Sequence, residues 1–433
     1  MLSTQTSALL IGAAASGQGK TTVTAALARH ATAQGRRVRV FKVGPDFIDP
    51  MILARASGRP VYQLDLWMGG LAHCRHLLYQ AAREADLVLV EGVMGLYDGS
   101  PSSAELARQL GLPLVLVIDG SAMAQTFGAL ALGLSAYGPG LTIHGVVANR
   151  VAGDRHAALL AESLAGGPAA GIVFLGALRA DRALEIPDRH LGLVQASEIA
   201  DLDERLDHAA QALAAGVRLD AIPRVRFDAD PALEPPPLLA GVRIAVAQDA
   251  AFSFVYPANL DLLRAMGATL SGFSPLHDAD IPPADALYLP GGYPELHAAR
   301  LSANRALHEA LRRHVGAGKP VLAECGGMML LFERLVDLQG RSHTLAGVLP
   351  GETAMQPRLQ ALALESLELA QGELRGHSFH HSRLHTAVQP DRHARTQQGG
   401  VGEALFRQGA LTASYLHFYL PSNPRAAAAL FLP

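Results

Sequence analysis

LLIGAAASGQGKTTVTAAL, residues 9–27, runs from an apolar stretch into small residues and glycines, meets Lys20-Thr21-Thr22, and then resumes apolar residues at helical spacing. That order predicts a buried strand, a phosphate-cradling loop and a helix. Gly17 and Gly19 let the backbone curl so that its N–H groups point inward, Lys20 supplies a mobile positive charge, and the Thr21 hydroxyl is placed to hold Mg²⁺. Ala14 stands where the first glycine of the full G-x-x-x-x-G-K-[ST] pattern belongs. A plain Gly/Ala-rich turn would allow alanine there, but GKTT between a buried strand and a helix points to a bound nucleotide.

Working outward, VRVFKVGPDFIDP after the first helix predicts a second buried strand ending at Gly44-Pro45. In open parallel sheets ligands sit at the carboxyl ends of strands, so Lys42, Asp46 and Asp49 are placed to bind a substrate carboxylate, a metal ion or both. For Asp49 an ordinary turn aspartate is an equal reading. ADLVLVEGVMGLYD, residues 85–98, is a continuous apolar run of the kind covered on both faces, and Glu91 at its end suits a second Mg²⁺ ligand or a water-orienting carboxylate. LPLVLVID ends in Asp119 and IHGVVANR in Asn149-Arg150; Asn149 reads equally as a contact to the nucleotide base or as a turn residue. Strands alternating with helical segments such as Ser103–Leu110 and 123–136 predict a doubly wound parallel α/β sheet.

The chain is long enough, at 433 residues, for two or three domains, and 49% hydrophobic with 17% charged residues is the composition of a well-cored protein. Lys+Arg 36 against Asp+Glu 39 leaves no large basic surface, which argues against nucleic acid as a partner. No basic residue precedes the first apolar run and no stretch of membrane-spanning length escapes polar interruption, so a cytoplasmic protein without membrane contact is expected. Cys74 and Cys325 make neither a disulfide framework nor a C-x-x-C metal site.

From 153 to 219 the pattern loosens, and in IPDRHLGL a solvated loop competes with contact of Arg189 and His190 to an anionic substrate. Prolines 223, 231 and 235–237 mark a semi-rigid linker. Beyond it, ALYLPGGYPE predicts a strand running into a Gly-Gly loop, and KPVLAECGGMMLL a strand, sharp turn and helix with Cys325 at the turn. Flanking glycines suit a nucleophile elbow, whereas a buried core thiol needs none; Cys74 reads as such a core thiol. A thiol nucleophile needs a base. His377, His380 and His381 are candidates, and His417, between a strand-like run and a Pro-rich turn, is the best placed.

The ordered set SGQGKTT, FKVGPDFIDP, EGVMGLYDG, LPGGYPE, AECGGMM, RGHSFHHS and SYLHFYLPSNP spans essentially the whole chain and closely resembles the glutamine-dependent a,c-diamide synthases of corrinoid biosynthesis. The resemblance implies a dethiobiotin-synthetase-like P-loop amidoligase domain, here 1–222, a linker at 223–240, and a class I glutamine amidotransferase domain of flavodoxin-like α/β fold at 241–433. It implies amidation of the a and c carboxylates of cobyrinic or hydrogenobyrinic acid, with ATP and glutamine as co-substrates. In site terms it makes Cys325 the thiolate, His417 its base and the Gly291-Gly292 amides the oxyanion hole. Gly17, Gly19, Lys20, Thr21 and Thr22 would bind ATP, and Thr21, Asp46 and Glu91 would hold Mg²⁺. Lys42 would lie near the substrate carboxylate and the transferred phosphoryl group, with Asp46 beside it.

Two departures stand out. Many class I amidotransferases place glutamate two residues beyond the histidine, where this chain has Tyr419, so the third member of the site is absent or supplied elsewhere. RGHSFHHS replaces the commoner RGHEFHYS form, which removes the usual residues at Ser378 and His381. Expected partners are small molecules: ATP, glutamine and the macrocycle, in a chain compatible with a homodimer. ASGQGKTT and DLWMGG lean toward the metal-free, hydrogenobyrinic acid enzymes. A cobyric acid synthase, or another carboxylate amidoligase, is the nearest alternative, but cobyric acid synthases carry an FKAQN-like segment in place of FKVGPDFIDP. A partition-ATPase-like switch would carry a lysine where this chain has Ala15 and would lack the thiol domain.

Overall fold

The computed structural model describes residues 3–184, 195–218, 222–229 and 235–433; Arg189 and His190 lie outside the described residues. The chain divides into two compact units, Met1–Leu233 and Glu234–Pro433.

In the first unit the strands are β1 (Ser3–Ala13), β2 (Val38–Val43), β3 (Tyr62–Leu64), β4 (Leu87–Glu91), β5 (Leu114–Asp119), β6 (Ile143–Val151), β7 (Phe174–Arg179) and β8 (Arg224–Asp228). They form one sheet in the order β3-β2-β4-β1-β5-β6-β7, parallel throughout, with β8 added antiparallel to the start of β1. Every residue of β4 is buried, as the unbroken LVLV run requires of a strand covered on both faces. One face packs on α1 (Lys20–Ala33) and the helix Leu202–Gly216, the other on helices such as Gly70–Glu84 and Ser103–Leu110.

Residues Arg224–Asp228, read from composition as the start of the linker, belong to this sheet. Val225 and Phe227 alternate inward while Arg224, Arg226 and Asp228 face out, a period-2 pattern that the surrounding prolines obscure.

In the second unit β9 (Arg243–Ala247), β10 (Thr269–Phe273), β11 (Ala286–Leu289) and β12 (Val321–Glu324) are parallel, in the order β10-β9-β11-β12. Leu411–Ser414 continues the parallel set beside β12. Val401–Gln408, Arg392–Thr396, Ala361–Leu369, Gly372–His380 and His417–Phe418 extend it as an antiparallel wing. A four-stranded sheet of Phe332–Val336, Ser342–Thr344, Leu349–Met355 and Ser382–His385 stands apart. Alternation splits the central strands between two cores. Leu287, Leu289, Val321 and Ala323 face one, and Ala286, Tyr288 and Leu322 the other, where Phe418 also packs. Among the described residues no helix is long and apolar enough to cross a membrane.

Candidate active sites

In the first unit the loop between β1 and α1 turns through left-handed backbone at Gly17 (φ 77°) and Gly19 (φ 95°). A Cβ at Gly19 would stand 2.1 Å from Nδ2 of Asn149, so no side chain fits there. Lys20, nearly buried, donates from Nζ to the carbonyls of Ala15 at 3.0 Å and Met94 at 2.6 Å, tying the loop to the segment after β4. Burial, and then the nearby charge of Lys42, lower its pKa. The Thr21 hydroxyl donates to Glu91 Oε1 at 2.8 Å, and Thr22 follows it in the first turn of α1.

Lys42 and Glu91 are paired positions on the adjacent strands β2 and β4, which is why they meet. Lys42 Nζ donates to Glu91 Oε1 at 2.7 Å and to Asp49 Oδ2 at 2.5 Å, and stands 3.4 Å from Asp46 Oδ2. Burial alone would discharge Lys42, but the carboxylates of Glu91, Asp49 and Asp46 outweigh it and raise its pKa. Burial pushes the carboxyls of Glu91 and Asp46 up to about 7, while Lys42 overrides burial at Asp49 and holds its pKa low. Asp46, two residues before the helix Ile48–Ser57, also accepts from the N–H groups of Ile48 at 2.8 Å and Asp49 at 3.2 Å. Asp49, for which the turn reading was equal, is a direct partner of Lys42.

Glu91 Oε2 is buried without a hydrogen-bond partner. An orphaned carboxylate oxygen beside a threonine hydroxyl at a phosphate loop fits the oxygen-donor chemistry that a Mg²⁺ ion would require there. Among the described residues no cage of three or more His, Cys, Asp or Glu side chains exists.

Asn149 and Arg150 buttress the loop. Asn149 Nδ2 donates to the Gln18 carbonyl at 3.0 Å, and Arg150, at φ 57°, donates to the Gly17 carbonyl at 2.8 Å and pairs with Asp119 at 2.6 Å. Asp119 N–H in turn donates to Gln18 Oε1 at 2.8 Å. Gln18 and Arg150 carried no sequence signal of this role, because it depends on where β5 and β6 end relative to the loop.

In the second unit Cys325 lies between β12 and the helix Gly326–Leu331 with φ 44° and ψ −107°. A non-glycine residue at positive φ costs about 1–3 kcal/mol and is kept where the surroundings enforce it. The enforcement is close packing: a Cβ at Gly327 would meet the Leu289 carbonyl oxygen at 2.1 Å, and one at Gly326 the Gly292 nitrogen at 3.0 Å. The turn at Cys325 therefore abuts the Gly291-Gly292 loop. His417 packs its ring against Gly291, where a Cβ would come 2.2 Å from Cε1, and stacks on His377 with centroids 5.0 Å apart.

Burial pushes the Cys325 thiol well above its usual range and lowers the pKa of His417, favouring the neutral form of each. A neutral imidazole is the form that can accept a proton. Burial also lowers His377 to about 3, and its Nδ1 meets the Tyr256 hydroxyl at 2.8 Å. Tyr419 is buried against Tyr256, with ring centroids 5.2 Å apart, and supplies no carboxylate. Ser378 donates to the buried Glu365, on the neighbouring strand, at 2.6 Å. His380 hydrogen-bonds Glu403 at 2.9 Å and stacks on Tyr415, and His381 lies against Phe379. Cys74 is fully buried in the helix Gly70–Glu84, its thiol pushed up to about 12 by burial.

The chain matches two family models. Residues 9–194 match the CobQ/CobB/MinD/ParA nucleotide binding domain, and residues 243–424 the CobB/CobQ-like glutamine amidotransferase domain. The hydrogenobyrinate a,c-diamide synthase of Stutzerimonas stutzeri (strain A1501) is 59% identical over 434 residues, 100% of each chain. That of Pseudomonas aeruginosa is 60% identical over 430 residues, covering 98% of this chain and 97% of the relative. The cobyrinate a,c-diamide synthase of Herminiimonas arsenicoxydans is 52% identical over 429 residues, 98% of this chain and 96% of the relative.

Proposed function

The chain belongs to the a,c-diamide synthase family of amide-forming ligases in cobalamin biosynthesis, and on that premise we propose that its own substrate is hydrogenobyrinic acid, amidated at the a and c carboxylates with ATP and glutamine. The metal-free macrocycle is favoured over cobyrinic acid because relatives at 59% and 60% identity carry the hydrogenobyrinate name, against 52% for one named for cobyrinate. The observation that carries the reading is the elbow: a cysteine at φ 44° between strand and helix, in a chain that also holds a phosphate loop. A nucleotide switch has no use for that thiol.

In the amidotransferase unit, Cys325 sulfur attacks the glutamine carboxamide as His417 takes the thiol proton. The Gly291 and Gly292 N–H groups receive the oxyanion. His417 returns the proton to the departing ammonia, and water hydrolyses the γ-glutamyl thioester to glutamate.

In the nucleotide unit, loop N–H groups and Lys20 hold the ATP phosphates. A substrate carboxylate oxygen attacks the γ-phosphorus, ADP leaves, and the acyl phosphate forms, because a carboxylate is too poor an electrophile to accept ammonia directly. Ammonia nitrogen then attacks the acyl carbon and phosphate departs. Lys42, balanced against Glu91, Asp49 and Asp46, limits the negative charge that the incoming carboxylate meets. Thr21, Asp46 and Glu91 would hold Mg²⁺, which when bound supplies charge neutralisation on the phosphoryl oxygens. This reading places the enzyme in the cytoplasm with its small-molecule substrates, and a homodimer is compatible with it.

Both macrocycles should be assayed with glutamine, ATP and Mg²⁺, counting nitrogens in the product by mass. The metal-free macrocycle is expected to gain two nitrogens for two ATP hydrolysed, at the higher kcat/KM. A higher kcat/KM for the cobalt form would reverse the substrate assignment, and a product stopping at one nitrogen would defeat the diamide reading.

A further inference from the structure

Three catalytic elements of the second unit end on one buried side-chain network. Glu324, the residue before Cys325, accepts from the Phe418 N–H at 3.0 Å through Oε1 and from the Tyr288 hydroxyl at 2.9 Å through Oε2. Phe418 follows His417, and Tyr288 lies three residues before Gly291. Asn259, on the helix Pro257–Ala265, completes the set: Nδ2 donates to the Tyr288 hydroxyl at 3.2 Å and to the Phe418 carbonyl at 2.7 Å, and Oδ1 accepts from the Leu420 N–H at 2.9 Å. Asn259, Tyr288 and Glu324 are each at most 1% exposed.

The strand register explains why side chains are needed there. His417–Phe418 pairs antiparallel with Gly372–His380, and the Tyr419 N–H donates to the Arg375 carbonyl on that ladder. Hydrogen-bonded pairs alternate along an antiparallel ladder, so Phe418 directs both its backbone groups to the opposite edge. Among the described residues no strand lies there to receive them. Glu324 and Asn259 take the place of that strand and fix the backbone on the residue next to the base.

Glu324 is the one polar residue of β12, among Val321, Leu322 and Ala323, and its burial keeps its carboxyl up at about 8. A buried acid is costly, and an apolar residue of similar size is often neutral or stabilising in its place. Its presence calls for a gain other than stability. With Tyr419 where a glutamate would orient the histidine ring, that gain is geometric.

We propose that Glu324, acting through Tyr288 and Asn259, is a positioning residue for glutamine hydrolysis, holding nucleophile, base and oxyanion loop in one register. The proposal rests on the reading of Cys325 and His417 as the hydrolytic pair.

The test is steady-state glutamine hydrolysis by full-length Glu324→Ala, Glu324→Gln, Tyr288→Phe and Cys325→Ala, with ammonia-dependent amidation measured in parallel. A displacement of about 1 Å costs ~10²-fold in rate, so Glu324→Ala is expected to lose ~10²-fold in kcat with KM for glutamine within about threefold. Glutamine keeps an acceptor for the Phe418 N–H, so Glu324→Gln should return to within about fivefold of wild type, and Tyr288→Phe should lose ~10-fold. Ammonia-dependent amidation should be unchanged in all of them. The proposal is overturned if Glu324→Ala keeps wild-type kcat, or if Glu324→Gln is no better than alanine. Should Glu324→Ala not fold, wild-type kcat in Tyr288→Phe overturns it. Retained hydrolysis in Cys325→Ala would instead remove the underlying assignment of the nucleophile.

Discussion

Cys325→Ala in the full chain is expected to lower glutamine-dependent amidation by ~10⁴-fold or more, while amidation driven by added ammonia stays within about twofold of wild type. The asymmetry follows from the chemistry of each half. On the proposed mechanism, removing the sulfur deletes the thioester route to ammonia, whereas an acyl phosphate formed on the nucleotide unit would be indifferent to the origin of the nitrogen. The substitution is structurally mild: Cys325 is 6% exposed in a site packed by Gly326 and Gly327, and alanine is smaller. The positive φ is retained, and so is its strain. Initial rates with glutamine and with an ammonium salt, at equal macrocycle and ATP, separate the outcomes. Loss of both activities would mean that the thiol serves the synthetase chemistry or the fold; retention of both would make it a bystander.

Glu91→Gln is expected to do the converse, lowering amidation from either nitrogen source by ~10²–10³-fold and leaving glutamine hydrolysis within about threefold. Glutamine is chosen over alanine because Glu91 shares a buried site with Lys42, and stripping one partner from a buried ion pair costs about 3–5 kcal/mol. The amide oxygen still accepts from Lys42 and Thr21, so the fold survives while the carboxylate charge is lost.

The same residue predicts a pH dependence. Burial raises Glu91 and Asp46 to about 7, so both carry protons below neutrality, and a carboxyl must be ionised to bind a metal. Mg·ATP binding by the wild type should therefore weaken as pH falls from about 8 to about 6, and Glu91→Gln should flatten that dependence. Titration calorimetry at several pH values reads both. A binding curve equally steep in wild type and variant would take Glu91 out of the metal site.

The phosphate loop, the elbow and the strands that carry them were legible because each is a local pattern: an apolar run, glycines, then a chemically distinctive residue. What the sequence hid depends on register between distant strands. Lys42 and Glu91 are 49 positions apart yet are neighbours on β2 and β4, and only that pairing turns Asp49 from a turn residue into a partner of Lys42. Asn149 reads equally as base contact or turn residue, and only the fold shows that its amide reaches the loop carbonyl of Gln18, because β6 ends beside the loop. The strand Arg224–Asp228 was masked by flanking prolines although its alternation is regular. Glu324 shows in the sequence only as the residue before Cys325. Its partners Tyr288 and Asn259 come from another strand and a helix, and no spacing in the chain announces them.

The most direct measurement follows the atoms. With ¹⁸O in the substrate carboxylates and ¹⁵N in the glutamine amide, the account predicts one ¹⁸O transferred to inorganic phosphate for each amide formed, and ¹⁵N at both new amides. Phosphate free of ¹⁸O, with amide still formed, would contradict an acyl phosphate and with it the role given to the loop at Lys20 and Thr21.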